Sequence, residues 1–96
     1  MNLTEEQLKE IERLAGLFLE PGEIAVLLNI DAENFLHGLD MKKGDLYTAY
    51  FRGKTISKKE ILENVVKMAK HGSPQAEDLV KQFMDKQILA EKRARK

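Results

Sequence analysis

The apolar residues of this chain recur at three- and four-residue spacing, and helix-capping residues separate the runs. The first run is the clearest and contains Leu8, Ile11, Leu14, Ala15 and Phe18. This spacing places apolar side chains on one face of an α-helix. Thr4, followed three residues later by Gln7, forms a capping-box pattern at the start of that helix. Because no alternating run is long enough for a β-strand, the sequence predicts an all-α fold.

Turn-forming residues predict two short helices after the first. Pro21 can open a helix that ends at about Leu28, since proline is tolerated in a first turn. Asn29 tolerates the left-handed backbone conformation that follows a helix. Asp31 is a suitable cap for a third helix over about residues 32–39.

A longer helical pattern occupies residues 46–71, with Asp45 as its expected cap. Gly53 interrupts the pattern, and we expect a bend over residues 53–57 with a new cap at Ser57. Ser73 and Pro74 are a cap and a first-turn proline for the last helix. The apolar face of that helix is expected to consist of Ala76, Leu79, Val80, Phe83 and Ile88. Its end, EKRARK, is expected to fray.

The 96 residues correspond to one domain with a modest core. We expect a small orthogonal helical bundle with an N-terminal helix-turn-helix followed by longer C-terminal helices. Residues 1–45 would form the helix-turn-helix-like part, and residues 46–96 a C-terminal helical hairpin with a basic tail.

The zero net charge of the chain conceals two halves of opposite sign. Residues 1–41 contain two basic and nine acidic side chains, a net charge of −7. Residues 42–96 contain fourteen basic and seven acidic side chains, a net charge of +7. This asymmetry favours a polyanionic partner or head-to-tail self-association. Ordinary solvated helix faces are the alternative.

The segment PGEIAVLLNIDAENFLHGL has the pattern of a helix-turn-helix. Ile24 and Phe35 are expected to pack in the core, and Ala25 is small because the two helices would cross closely there. Asn29 occupies the turn, and Ile30 would close it. A helical hairpin that does not bind DNA needs similar residues and remains an alternative.

Contacts to DNA would come from the second helix of this motif and the residues after it. Asn34 and His37 are the outward polar residues that could reach base edges. Lys42 and Lys43 could reach phosphates, which dominate affinity for duplex DNA. Two features oppose this interpretation. Gly38 stands where an apolar anchor is expected, and the helix carries Asp31 and Glu33 but no lysine or arginine.

Two later stretches, AYFRGK and KMAKHGSPQAEDLV, extend the comparison to a known family. Their pattern consists of Ala49, Tyr50, Gly53 and Lys54, then Ala69, Gly72, Ser73 and Ala76. With the helix-turn-helix before it, the chain resembles the small subunit of phage terminases over about residues 4–90. The resemblance implies a non-enzymatic DNA-recognition protein that assembles into a ring and serves a large ATP-hydrolysing partner. An ordinary helix-to-helix turn would also explain Gly72, Ser73 and Pro74.

Other candidate sites have weaker support in the sequence. Tyr47, Tyr50 and Phe51 interleave with Arg52 and Lys54, so they could stack on single-stranded bases or serve as core and interface residues. The two histidines lie 34 positions apart, and we expect no metal site. We also expect neither a cofactor nor enzymatic activity, since no nucleophile motif or phosphate-binding loop is present.

The location expected from the sequence is the cytoplasm. The chain contains no cysteine and no apolar run near the ~20 residues that span a bilayer. Its acidic N-terminus lacks the features of a secretory signal. The basic end, Lys92, Arg93, Arg95 and Lys96, could be a nucleic-acid arm or a solubilising terminus.

These patterns together favour a DNA-binding adaptor of phage or prophage type. Duplex DNA would be its ligand, and a homo-oligomer and a large ATPase its protein partners. Phosphate contacts would come from Lys42, Lys43, Arg52 and Lys54. The alternative is a helical protein–protein adaptor that binds no nucleic acid and uses the acidic hairpin as its docking surface.

Overall fold

The computed structural model describes residues 2–95, within which there are five helices and no strand. The helices are α1 (Glu5–Gly16), α2 (Pro21–Leu27), α3 (Ala32–Asp40), α4 (Asp45–Lys70) and α5 (Pro74–Ala94). The predicted all-α class is confirmed. None of the helices described is long and apolar enough to cross a bilayer.

The chain divides into two compact units, Met1–Lys59 and Glu60–Lys96. The division falls within α4, further along the chain than the boundary drawn from the sequence after residue 45. The first unit therefore contains α1, α2, α3 and the first half of α4. The second contains the rest of α4 and all of α5.

Three of the predicted helix caps form, at Thr4, Asp31 and Ser73. The Gln7 N–H donates to the Thr4 hydroxyl at 3.1 Å, and the Thr4 N–H donates to Oε1 of Gln7 at 2.9 Å. The Asn34 N–H donates to a carboxylate oxygen of Asp31 at 3.0 Å. At the start of α5, the Ala76 N–H donates to the Ser73 hydroxyl at 3.3 Å. Each such cap stabilises its helix by about 1 kcal/mol.

The core of the first unit is built from one face of each of its four helices. Three large side chains, Ile11, Ile24 and Phe35, are completely buried. Ile24 and Phe35 were expected there from the helix-turn-helix pattern. The remaining buried members of the cluster are Leu14, Ala15, Ala25, Leu46 and Ala49.

A close crossing of α1 and α4 replaces the bend expected at residues 53–57. Gly53 is buried inside a continuous α4, and a Cβ added there would lie 2.0 Å from the carbonyl oxygen of Glu12. One turn further along each helix, a Cβ on Gly16 would lie 2.7 Å from the Ser57 hydroxyl. The glycine therefore serves close helix packing, and the predicted bend with a new cap at Ser57 is wrong.

Phe18 is a second correction, because it does not belong to the buried face of α1. The helix ends before it, and Phe18 adopts a positive φ of 63° with its side chain 54% exposed. The Phe18 N–H donates to the Ala15 carbonyl and the Leu19 N–H to the Leu14 carbonyl, which reverses the chain toward α2. Leu19 packs against the core instead.

Smaller differences concern the ends of α4 and α5. Asp45 is the first residue of α4 and does not cap it. The preceding Gly44 has a φ of 92°, and its carbonyl accepts from the Thr48 N–H at 3.0 Å. Helix α5 extends to Ala94, and Lys96 lies outside the described residues.

The second unit is a helical hairpin with little buried surface. Gly72, with a φ of 94°, ends α4, and the Ser73 N–H donates to the Met68 carbonyl at 3.1 Å. Of the face predicted for α5, only Ala76 is buried, while Val80 and Phe83 are partly buried. Leu79 and Ile88 are exposed, which corrects their assignment to a packed face.

We predict that Gly53→Ala lowers the free energy of unfolding by about 2 kcal/mol, because the methyl group would force α1 and α4 apart. Urea denaturation measures the change. Gly22→Ala is the control, because nothing lies within 4 Å of a Cβ at this other helical glycine. Equal stability of the two variants would contradict the close crossing.

A second prediction concerns Asn29, which has a φ of 55° and an exposed side chain. Asn29→Ala should lower the free energy of unfolding by about 1 kcal/mol, since a Cβ without a local hydrogen-bonding group disfavours the left-handed region. Asn29→Gly should preserve or raise it. Thermal or urea unfolding of both variants checks the order, and a more stable alanine variant would contradict it.

Candidate nucleic-acid interface

Helices α2 and α3 pack together around a turn that Asn29 closes. The Ile30 N–H donates to the Ala25 carbonyl at 2.9 Å, and the Asn29 N–H donates to the Val26 carbonyl at 3.2 Å. The Ile30 bond requires the positive φ of Asn29, which turns the chain back toward Ala25. Ala25 has no exposed surface, as expected of a residue at a close contact between helices. The turn thus holds α3 in a fixed position against α2.

The solvent-facing side of α3 carries polar and acidic side chains together with the exposed Leu36. Asn34 and His37 are both exposed, as the sequence predicts. Glu33 and Asp40 are exposed on the same helix, and Asp31 is exposed at its start. Without a lysine or arginine on α3, the two candidate base-reading side chains lie among carboxylates, which repel phosphate groups.

Two adjacent lysines follow α3 and supply positive charge next to it. Lys42 and Lys43 are exposed in the connection between α3 and α4. The backbone of Lys42 has a φ of 55°, and its N–H donates to the Leu39 carbonyl at 3.1 Å. This left-handed residue ends α3. Neither lysine makes an ion pair within residues 2–95, so both ammonium groups are available to an anion.

Arg52 occupies a different environment from these lysines. Its Nε lies 3.3 Å from Oε1 of Glu12, and the pair joins α4 to α1 beside the Gly53 crossing. The Arg52 side chain is nevertheless 67% exposed. Its contact with DNA would therefore compete with the Glu12 carboxylate. Glu12 was not anticipated from the sequence, because the two residues are 40 positions apart.

Lys54 lies over aromatic rings of its own helix. Its Nζ is 5.4 Å from the centre of the Tyr50 ring and 5.1 Å from that of Phe51. Both distances are typical of cation–π contacts. Lys54 is only partly exposed, so it is a less accessible phosphate ligand than Lys42 or Lys43.

The aromatic cluster on α4 has one inward and one outward member. Tyr50 packs against the core, and its burial raises the pKa of its hydroxyl above the ordinary value. Phe51 is 42% exposed, and its ring centre is 4.6 Å from that of Tyr47. Within this cluster, Phe51 is thus the ring most accessible to a base or an apolar partner.

The structure places all six candidate residues in the first unit: Asn34, His37, Lys42, Lys43, Arg52 and Lys54. Four of them lie on α3 or directly after it and have exposed side chains. Arg52 and Lys54 lie on α4 and already have partners within the protein. Among residues 2–95, no group of three histidine or acidic side chains converges as metal ligands would.

Comparison with known proteins finds no relative that bears on this geometry. No protein-family model, curated protein or solved structure matches the chain.

Proposed function

We propose that this protein is a non-enzymatic helical adaptor that binds duplex DNA and resembles the small terminase subunits of phages and prophages. The observation that carries the proposal is the α2–turn–α3 pair. It holds a short helix with exposed Asn34 and His37 and continues directly into exposed Lys42 and Lys43. In this arrangement the lysines would contact phosphates and the polar side chains would reach into the groove.

The four basic candidates differ in how readily their side chains could contact phosphates. Lys42 and Lys43 are exposed and unpaired, so they would make the principal contacts. Arg52 would contribute after exchanging Glu12 for a phosphate, and Lys54 after leaving the Tyr50 and Phe51 rings. As in the family that the chain resembles, the adaptor would self-associate and deliver DNA to a large ATPase partner in the cytoplasm.

A protein–protein adaptor is the second candidate, and a specific observation favours it. Residues 14–41 contain five acidic side chains and no lysine or arginine. Three of these carboxylates, those of Asp31, Glu33 and Asp40, are exposed on α3 or at its start. An acidic helix of this kind suits a basic protein surface better than DNA.

The DNA proposal predicts salt-sensitive binding that depends on Lys42 and Lys43. Fluorescence anisotropy of a labelled mixed-sequence duplex at about 50 and 200 mM salt should show binding that weakens steeply as salt rises. Lys42→Gln/Lys43→Gln should weaken binding. It should also reduce the slope of log affinity against log salt concentration by about two. The affinity change reflects two lost phosphate contacts.

The matched control for this pair is Lys9→Gln/Lys67→Gln. It removes the same charge from exposed positions on α1 and the second half of α4 and should leave the slope near the wild-type value. No binding at tens of micromolar in low salt would reject the DNA proposal and favour the protein adaptor. Equal losses in both double variants would show that only total charge matters.

Glu12→Gln tests the role of Arg52. Removing the carboxylate frees the guanidinium for phosphate, so duplex affinity at about 50 mM salt should rise roughly threefold. Glu10→Gln is the control because it frees Arg13 on the same helix, whose hydrogen bond lowers the pKa of the Glu10 carboxyl. An equal rise in duplex affinity in both variants would show that Arg52 does not contact the DNA.

A further inference from the structure

A groove lined by both acidic and apolar side chains runs along α2 in the first unit. It is lined by Leu19, Glu20, Gly22, Glu23, Val26 and Leu27, which we call the α2 groove. Val26 is 72% exposed and Leu27 is 61% exposed, although both are large apolar residues on a seven-residue helix. The spacing of Glu20, Glu23 and Leu27 places them along one side of α2. An acidic end of the groove therefore precedes an apolar end.

The carboxylates of the α2 groove have no cationic partner in the part of the chain that the structure describes. Glu23 accepts the Glu20 N–H at 2.8 Å, a neutral donor, and neither residue forms a salt bridge. There is no lysine or arginine between Arg13 and Lys42 in the sequence. The groove consequently presents uncompensated negative charge beside exposed apolar surface, and its occupant must be apolar and basic.

A surface of that chemistry is present on α5 of the second unit. Lys81, Met84, Ile88, Lys92 and Arg95 follow one another at steps of three or four residues, so they share one side of the helix. We call these residues the α5 stripe. All five are exposed, and Met84 and Ile88 are 54% and 45% exposed. Two apolar side chains thus lie between basic ones, and Asp85, four residues after Lys81, is an acidic neighbour on this side.

We propose that the α2 groove of one molecule binds the α5 stripe of a second copy of this chain. Met84 and Ile88 would cover Val26 and Leu27, while the basic side chains of the stripe would face Glu20 and Glu23. Apolar burial would provide affinity, and the opposite charges would fix partner and orientation. This contact joins two different surfaces and is heterologous. It does not depend on the proposed DNA contact at α3 and α4, since neither surface contains Asn34, His37, Lys42, Lys43, Arg52 or Lys54.

Multi-angle light scattering after gel filtration tests the contact on the full chain. At about 100 μM protein and 50 mM salt, the wild type should have a mass well above the 11.0 kDa of one chain. At about 500 mM salt the mass should fall toward that of one chain, because salt screens the charged part of the contact. A wild-type mass of one chain at both salt concentrations would overturn the proposal.

Two variants separate the two surfaces. Val26→Lys/Leu27→Gln alters the groove, and Ile88→Glu/Lys92→Glu alters the stripe. Each should have the mass of one chain when alone. Mixed in equal amounts, they should give a species of twice the chain mass that grows no further, because one intact groove meets one intact stripe. If the mixture stayed at the mass of one chain, the contact would not be heterologous and the proposal would fail.

Matched controls guard against effects of folding or of charge alone. Leu89→Glu/Arg93→Glu makes the same type of change at the same spacing on α5, on another side of the helix, and should assemble as the wild type does. Leu36→Lys/Met41→Gln does the same for exposed apolar residues outside the groove, on α3 and at its end. Loss of assembly in these controls as well would overturn the assignment of the surfaces. Circular dichroism confirms that each variant is folded.

Discussion

The close approach of α1 and α4 at Gly53 is the constraint on which the first unit depends. A Cβ at this position would overlap the Glu12 carbonyl, so only glycine allows the two backbones to pack at this separation. The crossing brings Ala49 of α4 into the cluster that contains Ile11, Leu14 and Ala15 of α1. It also brings Arg52 within 3.3 Å of Glu12. Gly53 therefore determines both the packing of the core and the environment of Arg52, a candidate DNA-contacting residue.

The features that could be predicted from the sequence are those that neighbouring residues determine. Capping by Thr4, Asp31 and Ser73 involves side chains and backbone groups three residues apart, so the residues themselves specify it. The turn at Asn29 is local in the same way. Even the burial of Ala25 and Phe35 follows from packing two consecutive short helices.

The features that could not be predicted depend on contacts between distant residues. Gly53 was interpreted as a helix interruption because the sequence does not reveal that α1 packs against it. Phe18 continues the helical spacing of α1, but the chain must turn back toward Pro21, and Leu19 takes the buried position. The candidate site has the same division: the exposure of Asn34, His37, Lys42 and Lys43 was predictable, whereas the Arg52–Glu12 pair was not.

The charge distribution limits which surfaces can serve which partner. A helix-turn-helix with five carboxylates and no lysine or arginine between residues 14 and 41 cannot lie broadly against phosphate groups without repulsion. The proposed DNA contact would therefore be confined to the edge of α3 where Asn34 and His37 adjoin Lys42 and Lys43. The α2 side of the motif is then left for a basic apolar surface, which α5 possesses. If both contacts form, DNA would bind at the edge of α3 beside Lys42 and Lys43. Another protomer would bind at the α2 groove, where the surface is acidic and apolar.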